Sequence, residues 1–599
     1  MGRLVVWLWS ITAAAAPAIT KVEPPSWWAG HSYSTVRVLL RGSGLKDAQV
    51  KAERGLEVLE SHTNESGTYL FVDVKAHRPG SYTLKVSTHD GSATAPFEVL
   101  SPLPPKGRFQ GFSSNDLIYM IMPDRFANGD PSNDDPPVSK GLFDRNKPRF
   151  YHGGDFQGII DHLGYLNGLG VSAIWLTPVY DNPNTLSAPG DATGYHGYHA
   201  VDFYAVDEHF GTLDKLRELV DKAHQSGIKV ILDMVMNHTG AEHPWVKDPP
   251  LPNWFHGTPQ RHLNETFLIW TLLDPHAGRT MRDPVLDGWF ANNLPDLNQD
   301  EPEVARYLIQ NTLWWIASTG IDGIRADTMP YVPRAFWHDW NAAIGKEYPN
   351  FKTVGEVFDG DPGVVSFFQG GASRYDGVDS LMDGLFDFPL YGAIRRAFGQ
   401  AKPVPELAYI TAHDSMYSSP DNLVTFLGNH DVSRFLNEPG ATIEGLKLAF
   451  TYLFSTRGIP MIYYGDEIAL RGGNDPENRT DFPGGWKDDL RSAFDEKTRT
   501  EEEKGLFDYV RKIALLRKET PELQTGKLTQ IGVARDVYIY TRGSLIILLN
   551  NGAAPVKVET PAANGTWKNL LDVSVNVAVR GGAMAMTVPP RSAMIMMQR

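Results

Sequence analysis

Eight short apolar segments, alternating with longer amphipathic ones, are the feature of this sequence that most limits the possible folds. The apolar segments are rich in branched and aromatic residues, which is typical of strands buried on both faces. They are DLIYMIMPDRF, VSAIWLTPVY, KVILDMVMNH, IDGIRADTMP, FKTVGEVF, GLFDFPL, NLVTFLGNHD and GIPMIYYGDE. The segments between them, such as TLDKLRELVDKAHQSG, have helical periodicity. Eight strands joined by helices predict an α/β fold, a (β/α)8 TIM barrel, over residues 104–519.

Two β-rich regions flank this predicted barrel. In residues 19–103, short alternating segments between turn residues predict an antiparallel β-sandwich that ends at a Pro-rich linker, SPLPPKG. Residues 520–599 have the same texture and predict a C-terminal β-sandwich. After the third strand, residues 239–293 are rich in Pro, His, Trp and Asn, and we expect them to form a loop-like insertion.

The N-terminus has the features of a signal peptide over residues 1–18. Arg3 precedes the apolar run from Leu4 to Ala16, and small residues follow. The run is too short for a permanent transmembrane helix. We therefore expect export to the periplasm or the medium, with a mature chain that starts near Ile19. A buried N-terminal helix or strand is the alternative interpretation.

The composition excludes several kinds of site and argues against several kinds of partner. The sequence has no cysteine, which excludes disulfides, thiolate metal sites and thiol nucleophiles. Its net charge of −15, without a basic cluster, argues against nucleic acid as a partner. No segment after the N-terminus has the length and apolar purity of a membrane span, so we expect no membrane partner.

Carboxylates follow the predicted strands repeatedly. Asp233, Asp327, Glu356 and Asp431 each lie where a strand ends, and active sites of such barrels form at the carboxyl ends of the strands. Arg325 lies two residues before Asp327, so both side chains point to the same face of the strand and the arginine can keep the carboxylate ionised.

Paired acids of this kind suit glycoside hydrolysis, in which one carboxylate attacks and a protonated acid assists the leaving group. The competing class is a metal-dependent barrel hydrolase or an enolase-type lyase. These enzymes need a His-x-His pair on an early strand or a Lys base at a strand end, and the segments above contain neither.

With these residues in place, the sequence resembles the α-amylase family, glycoside hydrolase family 13. Five segments match the motifs of that family, and they occur along the whole barrel: DMVMNH (233–238), LPDLN (294–298), GIRADTMPYV (323–332), GEVF (355–358) and FLGNHD (426–431). VEPPSWWAG (22–30) is similar to the start of the extra N-terminal domain of bacterial exported cyclomaltodextrinases. Within the family, the resemblance is therefore closest to cyclomaltodextrinases and neopullulanases.

The resemblance implies a role for each matching residue. Asp327 matches the nucleophile, Glu356 the general acid/base and Asp431 the third catalytic acid. The residues expected around the innermost sugar are Tyr198, His238, Arg325 and His430. We interpret Asp233 as a structural residue that organises the site from behind.

Two departures from the family pattern change the expectations. Met329-Pro330 replaces a Lys-His pair that contacts sugars on the leaving-group side in many relatives. Asn298 stands where many α-amylases have a calcium-binding Asp, which puts their common calcium ion in doubt here, although Asn237 is retained.

A different calcium site is expected after the first strand. The segments DRFANGDPSND and YHGGDFQG offer oxygen ligands of the kind that a hard cation prefers. By resemblance to related transglycosylases and neopullulanases, the structural Ca²⁺ ligands are Asn128, Asp130, Asn133, Asp134, the Gly153 carbonyl and Asp155. A turn rich in Asp and Asn without a metal is the alternative. The role of a second oxygen-rich loop, residues 472–485, stays open.

Taken together, the sequence predicts a retaining hydrolase of α-1,4-glucosidic bonds in cyclomaltodextrins and short maltooligosaccharides. The alternatives within the class are neopullulanase, maltogenic amylase and α-glucan transferase activity. A non-catalytic glucan-binding protein is the alternative outside it. The expected partners are α-glucan substrates. A second copy of the chain is a further candidate, since similar N-terminal domains shape the cleft from the same chain or from a partner subunit.

Overall fold

A computed structural model describes residues 16–187 and 191–599. The predicted signal peptide, residues 1–18, lies outside the described residues except for its last three positions. Among the helices that the structure describes, none is both long enough and apolar enough to span a membrane.

The N-terminal region forms two sheets packed face to face. Their strand pairs are antiparallel, as predicted, except for one parallel pair between residues 26–28 and 98–100. Its strands are β1 Ala18–Glu23, β2 Ser26–Trp28, β3 Thr35–Ser43, β4 Gln49–Ala52, β5 Leu56–Thr63, β6 Tyr69–Ala76, β7 Gly80–Thr88 and β8 Gly91–Leu100. One sheet has the order β1-β3-β6-β5 and the other β2-β8-β7-β4. Trp27 is fully buried and Trp28 nearly so, so these two indoles belong mainly to the core of the sandwich.

The central region contains the barrel. Its strands are β9 Ile118–Ile121, β10 Ala173–Leu176, β11 Tyr180–Asp181, β12 Asp202–Val206, β13 Lys229–Met234, β14 Leu263–Asn264, β15 Gly288–Trp289, β16 Gly323–Ala326, β17 Lys352–Gly355, β18 Gly384–Leu385, β19 Val424–Phe426 and β20 Ile459–Tyr463. Eight of these described strands form one parallel sheet in the order β18-β17-β16-β13-β10-β9-β20-β19. A bridge between Phe386 and Val424 joins the two edges and closes the barrel. The predicted fold class is confirmed, and all eight predicted strands are present.

Helices surround this sheet. They are α1 Pro123–Phe126, α2 Phe156–Asp161, α3 Leu163–Leu169, α4 Leu213–Gln225, α5 Pro244–Lys247, α6 Arg279–Leu286, α7 Pro302–Thr319, α8 Arg334–Glu347, α9 Pro362–Phe368, α10 Phe388–Ile394, α11 Pro405–Ala412, α12 Ile443–Ser455, α13 Glu501–Glu519 and α14 Pro521–Thr525. Helix α7 begins with a proline in its first turn and ends at Gly320, whose φ of 75° favours glycine. The predicted insertion after the third strand holds only short elements: α5, β14, α6 and β15.

The C-terminal region is a second sandwich. Its strands are β21 Leu528–Val533, β22 Val537–Arg542, β23 Leu545–Asn550, β24 Val556–Pro561, β25 Gly565–Asn569, β26 Asn576–Val579, β27 Ala583–Val588 and β28 Ser592–Gln598. A sheet in the order β21-β22-β23-β28-β25-β26 packs against the pair β24-β27 through an apolar layer that includes Ile546, Leu548 and Met584. The other face turns to the barrel, where the Tyr540 hydroxyl lies 2.5 Å from Ser455 Oγ of α12.

The N-terminal sandwich packs on the barrel helix α7. The Arg37 guanidinium pairs with Glu303 at 2.7 Å, and the Gln310 side chain makes hydrogen bonds to both backbone groups of Arg37. The Trp314 indole donates to Ser26 Oγ at 3.1 Å. The two regions are therefore joined by specific polar contacts as well as by the linker.

Candidate active site

The four predicted acids converge at one mouth of the barrel. Asp233 lies in β13, while Asp327 and Glu356 directly follow β16 and β17. Asp431 lies five residues beyond β19. Because parallel strands end at the same edge, Asp327, Glu356 and Asp431 line one cavity, and Asp233 lies behind it.

Arg325 connects three of the acids. Its Nη1 lies 2.9 Å from Asp233 Oδ1 and 2.5 Å from Asp327 Oδ1, and its Nη2 lies 2.6 Å from Glu356 Oε1. Sequence reasoning placed this guanidinium beside Asp327 alone. The structure adds contact with the predicted acid/base, so one cation stabilises the negative charge of whichever carboxyl is ionised.

Glu356 is nevertheless the acid that burial keeps protonated. Desolvation raises the pKa of Glu356 to about 8, with Asp327 and Asp431 adding to the rise and Arg325 opposing it. Burial raises the pKa of Asp327 as well, against the attraction of Arg325. Thr328 supports both groups, because its N–H donates to Glu356 Oε2 and its hydroxyl donates to Asp327 Oδ2, each at 3.1 Å. Its φ of 46° is unusual for a residue other than glycine and turns the chain toward these acids.

Asp431 is the acid held ionised. Desolvation opposes its charge, but the cationic side chains of Arg479 and Arg325 outweigh this and lower the pKa of Asp431 below its ordinary value. Arg479 Nη2 donates to Asp431 Oδ1 at 3.2 Å. Burial lowers the pKa of His430 to about 3, so its ring is neutral and can bind a hydroxyl group.

Tyr198 lines the cavity between these groups. Its ring stacks on His430 with centroids 5.2 Å apart, and its hydroxyl donates to Asp233 Oδ2 at 2.8 Å. Asp233 also accepts from the Trp175 indole at 3.2 Å. Burial raises the pKa of Asp233 to about 7. Its partners therefore bind it behind the cavity, in agreement with the structural role expected for it.

His238 lies on the other side of the cavity. Its ring stacks on Phe290 at 5.3 Å, and burial lowers its pKa to about 4. Within the described residues, His238 Nε2 and His430 Nδ1 are buried without a hydrogen-bond partner. Unpaired buried groups at a cavity wall suit a ligand that carries hydroxyl groups.

Aromatic side chains surround the opening of this cavity of about 490 Å³. Phe267 is 51% exposed and Phe358 is 53% exposed, and Phe290 and Tyr331 lie beside them. Exposed ring faces bind flat, weakly polar surfaces such as those of pyranose rings. Sequence reasoning missed most of these residues, because the insertion that supplies Phe267 and Phe290 has no periodic pattern.

The oxygen-rich loop 472–485 reinforces this site. Asn478 Nδ2 donates to the His430 carbonyl at 2.7 Å, and Arg479 Nε donates to the same oxygen at 2.9 Å. Arg479 Nη1 also donates to the Tyr195 hydroxyl at 3.1 Å. This loop therefore fixes the segment that carries Asp431.

The predicted calcium ligands also come together. Asn128 Nδ2 donates to Asp134 Oδ1 at 2.7 Å, and a Cβ at Gly153 would collide with the same carboxylate. Asn128 Oδ1 and Asn133 Oδ1 are buried and lack partners within the described residues. Asp155, in contrast, accepts three backbone N–H groups, from Gly129, Asp130 and Gly158. In the part of the chain that the structure describes, no group of three or more His, Cys, Asp or Glu side chains forms a metal site by itself, so any ion here would depend on the amide and backbone oxygens.

The segment around Asn298 corresponds to the common family calcium site, which the sequence put in doubt for this chain. Asn298 Nδ2 donates to the Asn253 carbonyl at 3.0 Å. Asp296, rather than Asn298, lies next to Asn237. The amide nitrogen of Asn237 is 3.2 Å from Asp296 Oδ1. His256 Nδ1 lies 2.7 Å from Asp296 Oδ2, so an imidazole occupies one side of this carboxylate.

Comparison with known proteins agrees with the geometry. Residues 120–526 match the family model for the α-amylase catalytic domain, and residues 21–101 match the cyclomaltodextrinase N-terminal domain. A cyclomaltodextrinase from Geobacillus thermopakistaniensis is 30% identical over 79% of this chain and 75% of its own length. A beta/alpha-amylase from Paenibacillus polymyxa is 34% identical over 80% of this chain, which spans only 37% of that longer protein. The crystal structure of an Anoxybacillus α-amylase superposes with a TM-score of 0.67 and 35% identity, covering 81% of this chain and 97% of the other.

A barrel with an arginine-linked set of acids at the carboxyl ends of its strands defines a glycoside hydrolase. The chain belongs to the α-amylase family of these enzymes, and its relatives include proteins named cyclomaltodextrinase and neopullulanase. The family membership predicted from the five motifs is confirmed.

Proposed function

We propose that this enzyme hydrolyses α-1,4-glucosidic bonds of cyclomaltodextrins and short maltooligosaccharides with retention of configuration. The observation that carries this proposal is the pairing of Glu356, whose pKa burial raises to about 8, with Asp327 across one guanidinium. A protonated acid and a carboxylate stabilised by Arg325 are the two groups that double displacement needs.

In the first step, the Asp327 carboxylate forms a bond to the anomeric carbon while the glycosidic bond breaks. Glu356 gives its proton to the departing oxygen and becomes a carboxylate. In the second step, Glu356 removes a proton from water, whose oxygen attacks the anomeric carbon and releases Asp327. Asp431, held ionised by Arg479, accepts hydrogen bonds from sugar hydroxyls throughout.

The substrate preference is supported by the N-terminal match and by the names of several relatives. Cyclomaltodextrinase is the name of two of them, and Neopullulanase 2 from Thermoactinomyces vulgaris is 31% identical over 80% of this chain. Neopullulanase, maltogenic amylase and glucan transfer remain the alternatives, because the same acids serve each of them. A non-catalytic glucan-binding protein is disfavoured by the protonation pattern of the site.

Product analysis on β-cyclodextrin, pullulan and soluble starch, run side by side, tests the proposal. We expect the highest rate on β-cyclodextrin, with linear maltooligosaccharides as products and the α-anomer formed first. Panose from pullulan at a higher rate would favour the neopullulanase alternative, and new cyclic products would favour transfer. Formation of the β-anomer first would overturn the retaining mechanism.

The nucleophile is tested by Asp327→Asn, which keeps the shape of the side chain but removes the attacking charge. We expect hydrolysis to fall by several orders of magnitude while the protein remains folded. A variant within about tenfold of the parent rate would contradict the assignment.

We further propose that Ca²⁺ binds at Asn128, Asp130, Asn133, Asp134, Gly153 O and Asp155 in a structural role. Two observations support it: the unpaired amide oxygens, and the carboxyl of Asp134, whose pKa burial raises to about 7 with Asp155 and Asp124 adding to the rise. A cation supplies the missing positive charge and the missing partners.

Export to the periplasm or the medium is a proposal as well. It is supported by the apolar run and the small residues of positions 1–18. N-terminal sequencing of the mature protein after expression in a bacterium with an intact export pathway tests it. A first residue near Ile19 is expected, and retention of Met1 would contradict export.

A further inference from the structure

A second cavity lies at the opposite end of the barrel from the acids, where the N-terminal sandwich, the linker and two barrel helices meet. Its volume is about 370 Å³, within the range of roughly 300–1,000 Å³ that is common for small-molecule sites. Ala317 lies near the end of α7, and Asn350 lies two residues before β17. Because both positions lead into the amino ends of strands, this cavity is separate from the active site.

The walls of this junction cavity are largely aromatic and apolar. Trp28 comes from the sandwich, Leu103 and Phe109 from the linker region, and Tyr348 from the end of α8. The rings of Phe109 and Tyr348 are 4.6 Å apart. Such walls suit one face of a pyranose ring, which presents C–H groups to an aromatic surface.

Two polar atoms of wall residues lack a hydrogen-bond partner among the described residues, His31 Nε2 and Arg108 Nε. His31 is 5% exposed, and its Nδ1 accepts a hydrogen bond from the Tyr33 N–H at 3.0 Å. Because Nδ1 accepts this hydrogen bond, it carries no proton, and the proton of the neutral ring resides on Nε2. Burial lowers the pKa of His31, which favours the same neutral form. That N–H is buried without an acceptor among the residues that the structure describes. An unmet buried donor at a cavity wall calls for a ligand oxygen.

The charges around the cavity favour a neutral ligand. Glu347 and Arg108 both line it, and both already have partners: Glu347 Oε2 accepts from the Ser32 N–H at 2.7 Å, and Arg108 pairs with Asp221 at 2.5 Å. Glu347 can still accept from a ligand hydroxyl, and Arg108 Nε can donate to a ligand oxygen. Glu347 would repel an anionic ligand and Arg108 would repel a cationic one, so a neutral ligand is favoured.

We propose that this junction cavity is a second, non-catalytic site for a neutral short α-glucan of one or two glucosyl units. A glucosyl ring would stack on the aromatic wall, accept a hydrogen bond from His31 Nε2–H and donate one to Glu347. The choice of a glucan rests on the proposed function, since hydrolysis releases such sugars next to the enzyme. A ligand that contacts the sandwich and the barrel together also stabilises their packing by mass action.

Maltose binding to the full-length Glu356→Gln protein, which cannot turn the sugar over, tests the proposal. Crystals soaked with maltose should show sugar in the junction cavity, and equilibrium dialysis should give two molecules per chain. Ala317→Leu, which fills the cavity from α7, should remove one of them. The matched control is Ala342→Leu on the exposed side of α8, which should keep both.

His31→Phe, which keeps the ring and removes the donor, should weaken the second binding event at least tenfold. The inference is overturned if Ala317→Leu leaves the stoichiometry unchanged, or if sugar appears in the cavity at crystal concentrations only. Failure of the proposed function has a different signature. In that case β-cyclodextrin is not hydrolysed by the unmodified enzyme, whatever the junction cavity binds.

Discussion

Arg325 is shared among three carboxylates, and burial then determines which of them holds a proton. Its two terminal nitrogens contact Asp233, Asp327 and Glu356. Burial raises the pKa of Glu356 to about 8 in spite of its contact with Arg325. A single cation thus stabilises the nucleophile without ionising the acid beside it.

This arrangement predicts the alkaline limb of the pH profile. The general acid must be protonated, so on the alkaline side kcat/KM should fall as the pH rises through about 8. Rates on maltotriose across pH 5–10 check it.

The control uses Glu356→Gln with an α-maltosyl fluoride, whose leaving group needs no proton. This variant should release a burst of fluoride that shows no alkaline limb. If the limb persisted in the variant, another group would be responsible for it.

At the scale of elements, the loop 472–485 supports the active site from outside the barrel. Arg479 binds the carboxylate of Asp431 and the carbonyl of His430 together. The loop follows the last barrel strand, so its contacts hold the segment after β19 against the segment after β20. Arg479 is therefore a positioning residue in this chain.

Arg479→Met should reduce kcat by about 100-fold, because a shift of Asp431 by about 1 Å is enough for a loss of this size. It should also raise the pKa of Asp431, since one of the charges that lower it is removed. Arg479→Lys, which keeps the charge but not the paired hydrogen bonds, should fall between Met and the parent.

Arg149→Met is the matched control. Arg149 pairs with Asp475 of the same loop at 3.0 Å but is not in contact with Asp431. Equal losses in the Arg149 and Arg479 variants would indicate general loosening of the loop rather than positioning of Asp431.

The loop segments around Asn128 and Gly153 carry the proposed Ca²⁺ ligands, so removing the ion should affect stability. If Ca²⁺ binds there, it stabilises the folded chain by mass action. Chelator should lower the unfolding temperature, and added Ca²⁺ should restore it.

Asp134→Ala should abolish this response. Asp135→Ala, one position along and outside the proposed ligand set, should retain it. A parent protein whose unfolding temperature is the same with chelator and with Ca²⁺ after extensive dialysis, and the same as that of Asp134→Ala, would contradict the site.

For the molecule as a whole, the sequence predicted the barrel correctly but could not predict the contacts between distant segments. Each barrel strand has its own apolar pattern, and Asp327 or Glu356 could be found because it directly follows one. Arg479 lies 48 positions from Asp431 in a loop without periodicity, so only the closed sheet brings them together. The junction cavity could not be predicted for the same reason. Glu347 accepts a hydrogen bond from the N–H of Ser32, which lies 315 positions away and directly follows His31.

The N-terminal sandwich was expected to shape the cleft, either from the same chain or from a partner subunit. The described residues that line the active-site cavity all come from the barrel region, between His196 and Arg479. Within one chain, the sandwich instead packs on α7 through Arg37, Glu303 and Gln310. In a single chain, its contribution is therefore to stability rather than to the walls of the cleft.

This packing predicts the effect of Arg37→Met. The substitution leaves Glu303 without its partner in a largely buried interface, which should cost roughly 1–3 kcal/mol of stability. The unfolding midpoint should fall, while the ratio of the rates on β-cyclodextrin and starch should stay the same, because the cleft is unaltered. Arg54→Met, at an exposed turn of the same sandwich, should change neither quantity. A changed rate ratio in the folded Arg37 variant would mean that the sandwich does shape a cleft, and since none of its residues lines the cavity of its own chain, that cleft would belong to a partner subunit.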